Sequence, residues 1–167
     1  YSPADGRHGT QVRSAQSRMT VLPMSPRLVV LGAGAWGTAI ALSLARNGRA
    51  VTLWAHTPDL ARDLHQAREN IQFLPGFKLP ESISITADDQ AIGHADILFS
   101  VIPSEFLRPT MARLRVQMHA DQILVSATKG LENGTFLRMT QVIASSVAEA
   151  GLSLPIGALS GPSFAKE

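Results

Sequence analysis

Cysteine is absent from all 167 residues. That excludes a disulfide framework and any thiolate nucleophile, and it fits a reducing, cytoplasmic setting. Charge is sparse as well: charged residues make up 17% of the chain against 45% hydrophobic, a balance that belongs to a packed fold rather than a disordered chain. The 15 Lys and Arg exceed the 13 Asp and Glu by a formal net charge of +2. No basic stripe gathers that surplus, so nucleic acid is not an expected partner. Long apolar runs are missing too; none reaches the roughly eighteen residues that cross a bilayer, and no membrane span is expected. The histidines, His8, His56, His65, His94 and His119, offer no close pair with metal-ligand spacing, so no metal site is expected. A G-x-S-x-G nucleophile elbow is also lacking, which argues against serine hydrolase chemistry.

Residues 1–26 read differently from the rest. "YSPADGRHGTQVRSAQSRMT" is polar, carries Arg7, Arg13 and Arg18, and shows neither the helical nor the strand period. It lacks the continuous apolar core of a secretory signal. We read 1–26 as a flexible extension outside the fold: a tag remnant, or a start assigned too early with Met19 or Met24 as the natural one. A mitochondrial-type leader is the alternative. The length suits one domain with a sizeable core and is marginal for two, so 27–167 is taken as a single domain.

From Arg27 the pattern is regular. "RLVVLG" is a short, wholly apolar strand of the kind buried on both faces of a parallel sheet. A helix follows the next glycines, with Ala39, Leu42, Leu44 and Ala45 on its packing side and Asn47-Gly48 at its end. "RAVTLWA" is a second strand. "TPDLARDLHQAREN" is a helix with Thr57 as N-cap and Pro58 in the first turn, where a missing N–H costs nothing. "FLPGFKLPESISIT" reads as a loop leading into a strand near Ile83 to Thr86. "ADILFSVIP", "DQILVSATKG" and "LSLPIGALSG" each hold a further strand, with helical stretches near Glu105 to Gln117 and Thr135 to Ala150. Strands alternating with helices predict an α/β fold: a doubly wound, mostly parallel Rossmann-type sheet with helices on both faces.

Gly32, Gly34 and Gly37 spell G-x-G-x-x-G between the first strand and the first helix. Gly32 permits the tight turn, Gly34 lets a pyrophosphate approach the backbone, and Gly37 lets the helix pack close to the sheet. The helix N-terminus then offers its free N–H groups to phosphates. Dinucleotide binding is the expected function of this turn. A site specific for NAD places an acid about twenty residues on, at the end of the second strand. Here that stretch is Leu53-Trp54-Ala55-His56-Thr57, and the first acid is Asp59. No carboxylate repels a 2′-phosphate, His56 would donate to one, and Arg62 lies a helical turn beyond. Between NADP and NAD, the expectation tilts to NADP.

Two later segments reach the same edge of the sheet. In "SVIPSEF", Phe106 would pack against the nicotinamide side of a dinucleotide, or else serve in the core. In "SATKGL", Lys129 stands beside a glycine at the carboxyl end of a strand, where its charge would hold an anionic substrate.

The segments "GAGAWGTA", "NGRAVTLW", "NIQFLPG", "VIPS", "ATKGLE" and "SGPSFAKE" resemble, in order, those of the bacterial-type NAD(P)-dependent glycerol-3-phosphate dehydrogenases. The last two are far more specific than the glycines, and the likeness covers essentially everything from Arg27 onward. The resemblance implies the cofactor-binding half of an oxidoreductase that interconverts sn-glycerol 3-phosphate and dihydroxyacetone phosphate by hydride transfer. It implies cofactor contacts at Ala35, Trp36, His56 and Ala165, a lysine reaching cofactor and substrate at Lys129, and substrate-side positions at Gly161 and Ser163. Many relatives carry an arginine near the end of the second strand, where this chain has His56. A helical substrate domain completes the family's site and carries its general-base lysine, expected beyond residue 167. The chain alone is therefore expected to bind cofactor and turn over little or nothing. A homodimer of the intact enzyme is compatible with the resemblance. The competing readings are the cofactor half of another β-hydroxy acid or phosphate-substrate dehydrogenase, and a non-catalytic dinucleotide-binding module.

Overall fold

A computed structural model describes residues 22–160 of the chain. Its first strand, β1 (Leu28–Leu31), is buried at all four positions. Leu28 and Val30 enter one apolar cluster, while Val29 and Leu31 enter another on the opposite face. Burial on both sides is why this strand shows no polar alternation.

The elements that follow are α1 (Ala35–Arg46), β2 (Val51–Trp54), α2 (Pro58–Ala67), β3 (Glu69–Asn70), β4 (Leu74–Lys78), β5 (Ile83–Thr86), β6 (Ile97–Ser100), α3 (Ser104–Leu114), β7 (Ile123–Ser126), α4 (Met139–Ala148) and β8 (Ile156–Ala158). Short 3-10 turns occupy Asp89–His94 and Arg115–Gln117. Six strands form one sheet in the order β5-β2-β1-β6-β7-β8, with every pair parallel. Strand order reverses at β1, so the crevice beyond the carboxyl ends of β1 and β6 is the switch point where such sheets take ligands. The doubly wound Rossmann-type arrangement is therefore observed. One face is covered by α1 and α2 through Ile40, Ala41, Leu42 and Leu64. The other is covered by α3 and α4 through Leu107, Met111, Val142 and Ile143.

Helix α2 starts as its sequence dictates. Thr57 Oγ1 accepts the Leu60 N–H at 3.3 Å, and Pro58 opens the first turn. The helix stops earlier than expected, at Ala67, because Arg68 takes a left-handed conformation with φ 48°. No glycine announces that stop. The guanidinium of Arg68 holds it instead, donating to the carbonyls of Leu79, Pro80 and Ile83.

The expected loop "FLPGFK" is also corrected. Leu74–Lys78 pairs antiparallel with Glu69–Asn70 in a separate two-stranded ribbon. Pro75 and Gly76 disguise it, but a two-stranded ribbon has open edges where proline is tolerated. Glu69 ties the ribbon by accepting the Gly76 N–H and pairing with Lys78, each at 2.8 Å. In α1 the buried residues are Gly37, Thr38, Ile40, Ala41 and Leu42, with Ala39, Leu44 and Ala45 only partly covered. The amino-terminal half of the helix is held tightly and burial fades toward Arg46, so the buried face lies earlier than the sequence pattern indicates.

Candidate functional site

The turn after β1 is built on steric necessity. Gly32 has φ +113°, a region closed to ordinary side chains, and a Cβ there would lie 2.8 Å from the Val101 carbonyl oxygen. The turns after β1 and β6 thus touch at the switch point. Gly37 tolerates no Cβ either, but the nearest obstacle is the Gly32 carbonyl oxygen, with the Val101 side chain at 3.6 Å. Its role is to let α1 close onto its own turn, more than onto the sheet. Gly34 is different: a Cβ there meets nothing within 4 Å. The space in front of it is open.

Gly34 is also the N-cap of α1. It brings no side chain to the first N–H groups, and the first helical turn holds no acid. These donors and the positive end of the helix dipole are free for an anion. An open approach, a side-chain-free cap and a sterically locked turn fit the pyrophosphate of a dinucleotide.

Trp36, 49% exposed on the first turn of α1, borders a cleft of about 590 Å³. Across it lie Ser126, Thr128, Lys129, Arg138 and Thr140. Strand β7 delivers Ser126 and the turn that follows brings Lys129, which is exposed. Among the described residues Lys129 enters no ion pair, so its charge is available to a ligand. Ser126 is buried on the cleft wall, and among the described residues its Oγ has no hydrogen-bond partner.

The turn bearing Lys129 is held by a polar network. Arg108 of α3 grips Glu132 with two bonds, Nε–Oε1 at 2.6 Å and Nη2–Oε2 at 2.8 Å, and donates to Ser145 Oγ of α4 at 3.0 Å. Thr135 Oγ1 donates to Glu132 Oε2 at 2.6 Å. The Arg108 guanidinium, helped by Thr135, holds the Glu132 carboxyl at about 2, well below the usual carboxylate range. Glu132 stands inside the quoted "ATKGLE", yet its partner lies 24 residues away, so spacing alone did not expose the pairing.

The other expected residues are distributed as follows. His56 is exposed just past the end of β2, outside the cleft lining. Arg62 does not stand free beside it: it pairs with Asp59 at 2.8 Å and approaches Asp63 at 3.9 Å. Phe106 is 55% exposed on the first turn of α3, which removes the core alternative. Ala35 is exposed at the start of α1. Gly161, Ser163 and Ala165 lie outside the described residues. Trp54 is only 1% exposed; its Nε1 donates to Asp89 Oδ1 at 3.2 Å, and Arg113 stacks 5.1 Å from its ring centre. Among the described residues no group of three or more metal-ligating side chains occurs, and no helix is long and apolar enough to cross a membrane.

Comparison with known proteins points to one family. The model of the NAD-dependent glycerol-3-phosphate dehydrogenase N-terminus matches residues 27–167. The chain is 42% identical over 146 residues to glycerol-3-phosphate dehydrogenase [NAD(P)+] of Acidobacterium capsulatum, covering 84% of this chain and 43% of that protein. It is 45% identical over 138 residues to the enzyme so named of Rhodopseudomonas palustris strain BisB5, covering 83% and 40%. Its fold is similar to the crystal structure of glycerol-3-phosphate dehydrogenase from Coxiella burnetii, with TM-score 0.76 and 29% identity over 85% of this chain and 42% of that one. The chain spans about two fifths of the length of the curated relatives it matches.

Proposed function

The chain belongs to the family of NAD-dependent glycerol-3-phosphate dehydrogenase N-termini, and on that premise we propose that it is the cofactor-binding half of an enzyme interconverting sn-glycerol 3-phosphate and dihydroxyacetone phosphate. The observation that carries this reading is one shared cleft. Trp36, on the first turn behind the glycines, and Lys129, at the end of β7, border the same space. Such an arrangement sets a dinucleotide and an anionic substrate side by side. A second, helical domain is the proposed partner over this cleft, and association of two copies belongs to the whole enzyme. The proposed setting is the cytoplasm, which the cysteine-free sequence suits.

When bound, a nicotinamide dinucleotide supplies the hydride donor or acceptor. The chain's own residues bind and orient. The first N–H groups of α1 hold the pyrophosphate, Ala35 and Trp36 line its path, and Phe106 packs toward the nicotinamide. Lys129 neutralises and polarises the substrate, an electrostatic role that strengthens once water is excluded. Gly161 and Ser163 are assigned to the substrate and Ala165 to the cofactor. The general base is assigned to the helical domain. His56 donates to the 2′-phosphate, so NADP is the preferred cofactor. Support for that preference is the lack of a carboxylate at the end of β2; Arg62, already paired with two acids, adds little.

Titration with NADPH and with NADH, read by tryptophan emission, tests the reading. Trp36 is the reporter, since Trp54 is buried and engaged with Asp89 and Arg113. Saturable quenching with NADPH bound more tightly is expected. Equal affinity would overturn the assignment of His56, and no binding of either would overturn the dinucleotide reading.

A further inference from the structure

The β3–β4 ribbon stands apart from the six-stranded sheet, yet it sends one side chain into the turn that receives the dinucleotide. Asn70 is 1% exposed. Its Nδ2 donates to the Ala33 carbonyl at 2.9 Å and to Thr38 Oγ1 at 2.7 Å, while its Oδ1 accepts the Phe73 N–H at 3.2 Å. The amide orientation follows from the partners: a carbonyl demands the NH₂ end, and an N–H demands the oxygen. Ala33 lies between Gly32 and Gly34, and Thr38 lies one helical turn after Gly34. The amide therefore spans the turn, gripping the backbone before the cap and the helix after it.

We propose that Asn70 is a positioning residue for dinucleotide binding, holding the Gly32–Gly37 turn in the shape that accepts a pyrophosphate. The inference rests on the dinucleotide reading above. The turn's glycines deprive it of side chains that could fix it, and no side chain of its own caps the helix start or tethers the turn from within. Asn70 supplies that tether from 37 residues away. Preorganisation of this kind lowers the ordering cost of binding without touching the ligand.

The test compares wild type with Asn70→Ala and Asn70→Asp in the 167-residue chain, titrated with NADPH and with ADP-ribose, which keeps the pyrophosphate and lacks the nicotinamide. Both variants are expected to weaken both ligands by roughly tenfold or more, the scale of a lost buried hydrogen bond. Amide exchange is expected to accelerate over residues 33–38, and only slightly in β6 and β7. A purely structural role for the ribbon would leave exchange over 33–38 unchanged. Should the Asn70 variants fail to fold, Thr38→Ser and Thr38→Val provide the same test. Serine keeps the acceptor and is expected to retain affinity, whereas valine removes the hold on the helix, leaves only the bond to the Ala33 carbonyl, and is expected to weaken binding. Wild-type affinity in Asn70→Asp, or in Thr38→Val, would overturn the proposal. Failure of wild type itself to bind either ligand would instead refute the dinucleotide reading.

Discussion

The turn after β1 is shaped by the side chains it lacks, at Gly32 and Gly37, whereas the turn after β7 is shaped by a charged side chain, Arg108, that reaches it from α3. Both sit at the carboxyl edge of one sheet, and Trp36, just behind the first turn, borders the cleft lined by the second. The first is a matter of sterics, backbone against backbone, braced from outside by the Asn70 amide. The second is a matter of charge, with Arg108 and Glu132 locking the loop that presents Lys129. The difference matches the proposed ligands. A pyrophosphate bound by backbone N–H groups needs a rigid turn of fixed shape, and a substrate held by a lysine needs that lysine aimed.

The largest expected effect comes from breaking the steric turn. Gly37→Ala drives a Cβ into the Gly32 carbonyl, and is expected to cost about 1–3 kcal/mol or more, as overpacking does. Urea unfolding read by circular dichroism measures it, and saturable dinucleotide binding should vanish with it.

A smaller effect separates the charged turn from the steric one. The folded pKa of Glu132 is depressed, to about 2 from an ordinary value of 4.5. Its contribution to stability is therefore complete above pH 4.5 and is lost as the pH falls toward 2. Glu132→Gln is expected to remove that part of the acid dependence, to destabilise less than Gly37→Ala, and to quicken amide exchange over residues 128–137. Parallel acid titrations of the two proteins check it. An unchanged acid limb in Glu132→Gln would show that the network does not hold the loop.

Finer still is the cofactor preference. His56→Ala is expected to lower the NADPH-to-NADH affinity ratio by roughly fivefold, the scale of one exposed charge-assisted bond, and His56→Asp to reverse it. Lys129→Met should change folding least, within about 0.5 kcal/mol, because the lysine is exposed and enters no ion pair among the described residues. Its effect is expected in the full-length enzyme, as a fall in kcat/KM with the melting temperature unmoved.

Much of this comparison was legible in the sequence. The strand Ile83–Thr86, the Thr57 cap and the three glycines follow from local pattern, because apolar runs, N-cap chemistry and backbone freedom are properties of a few adjacent residues. What escaped was non-local. The ribbon lay hidden because Pro75 and Gly76 look like loop residues, and Arg68 ends α2 through carbonyls more than ten residues ahead. Asn70 and Glu132 both sit in quoted segments, but nothing in a segment says that an amide will be buried against Ala33 or a carboxylate against Arg108.

The most direct test of the central claim uses Gly34, the one glycine of the fingerprint with open space before it. Gly34→Ala has room for its methyl group and a φ of −76°, so its unfolding free energy should stay within about 1 kcal/mol of wild type, the scale of an N-cap change. NADPH titrations of wild type and Gly34→Ala, followed by Trp36 emission, should give saturable binding in the first and a loss of at least about tenfold in the second. Equal affinity in the two proteins would contradict the account, because the space in front of Gly34 would then not be where the pyrophosphate lies.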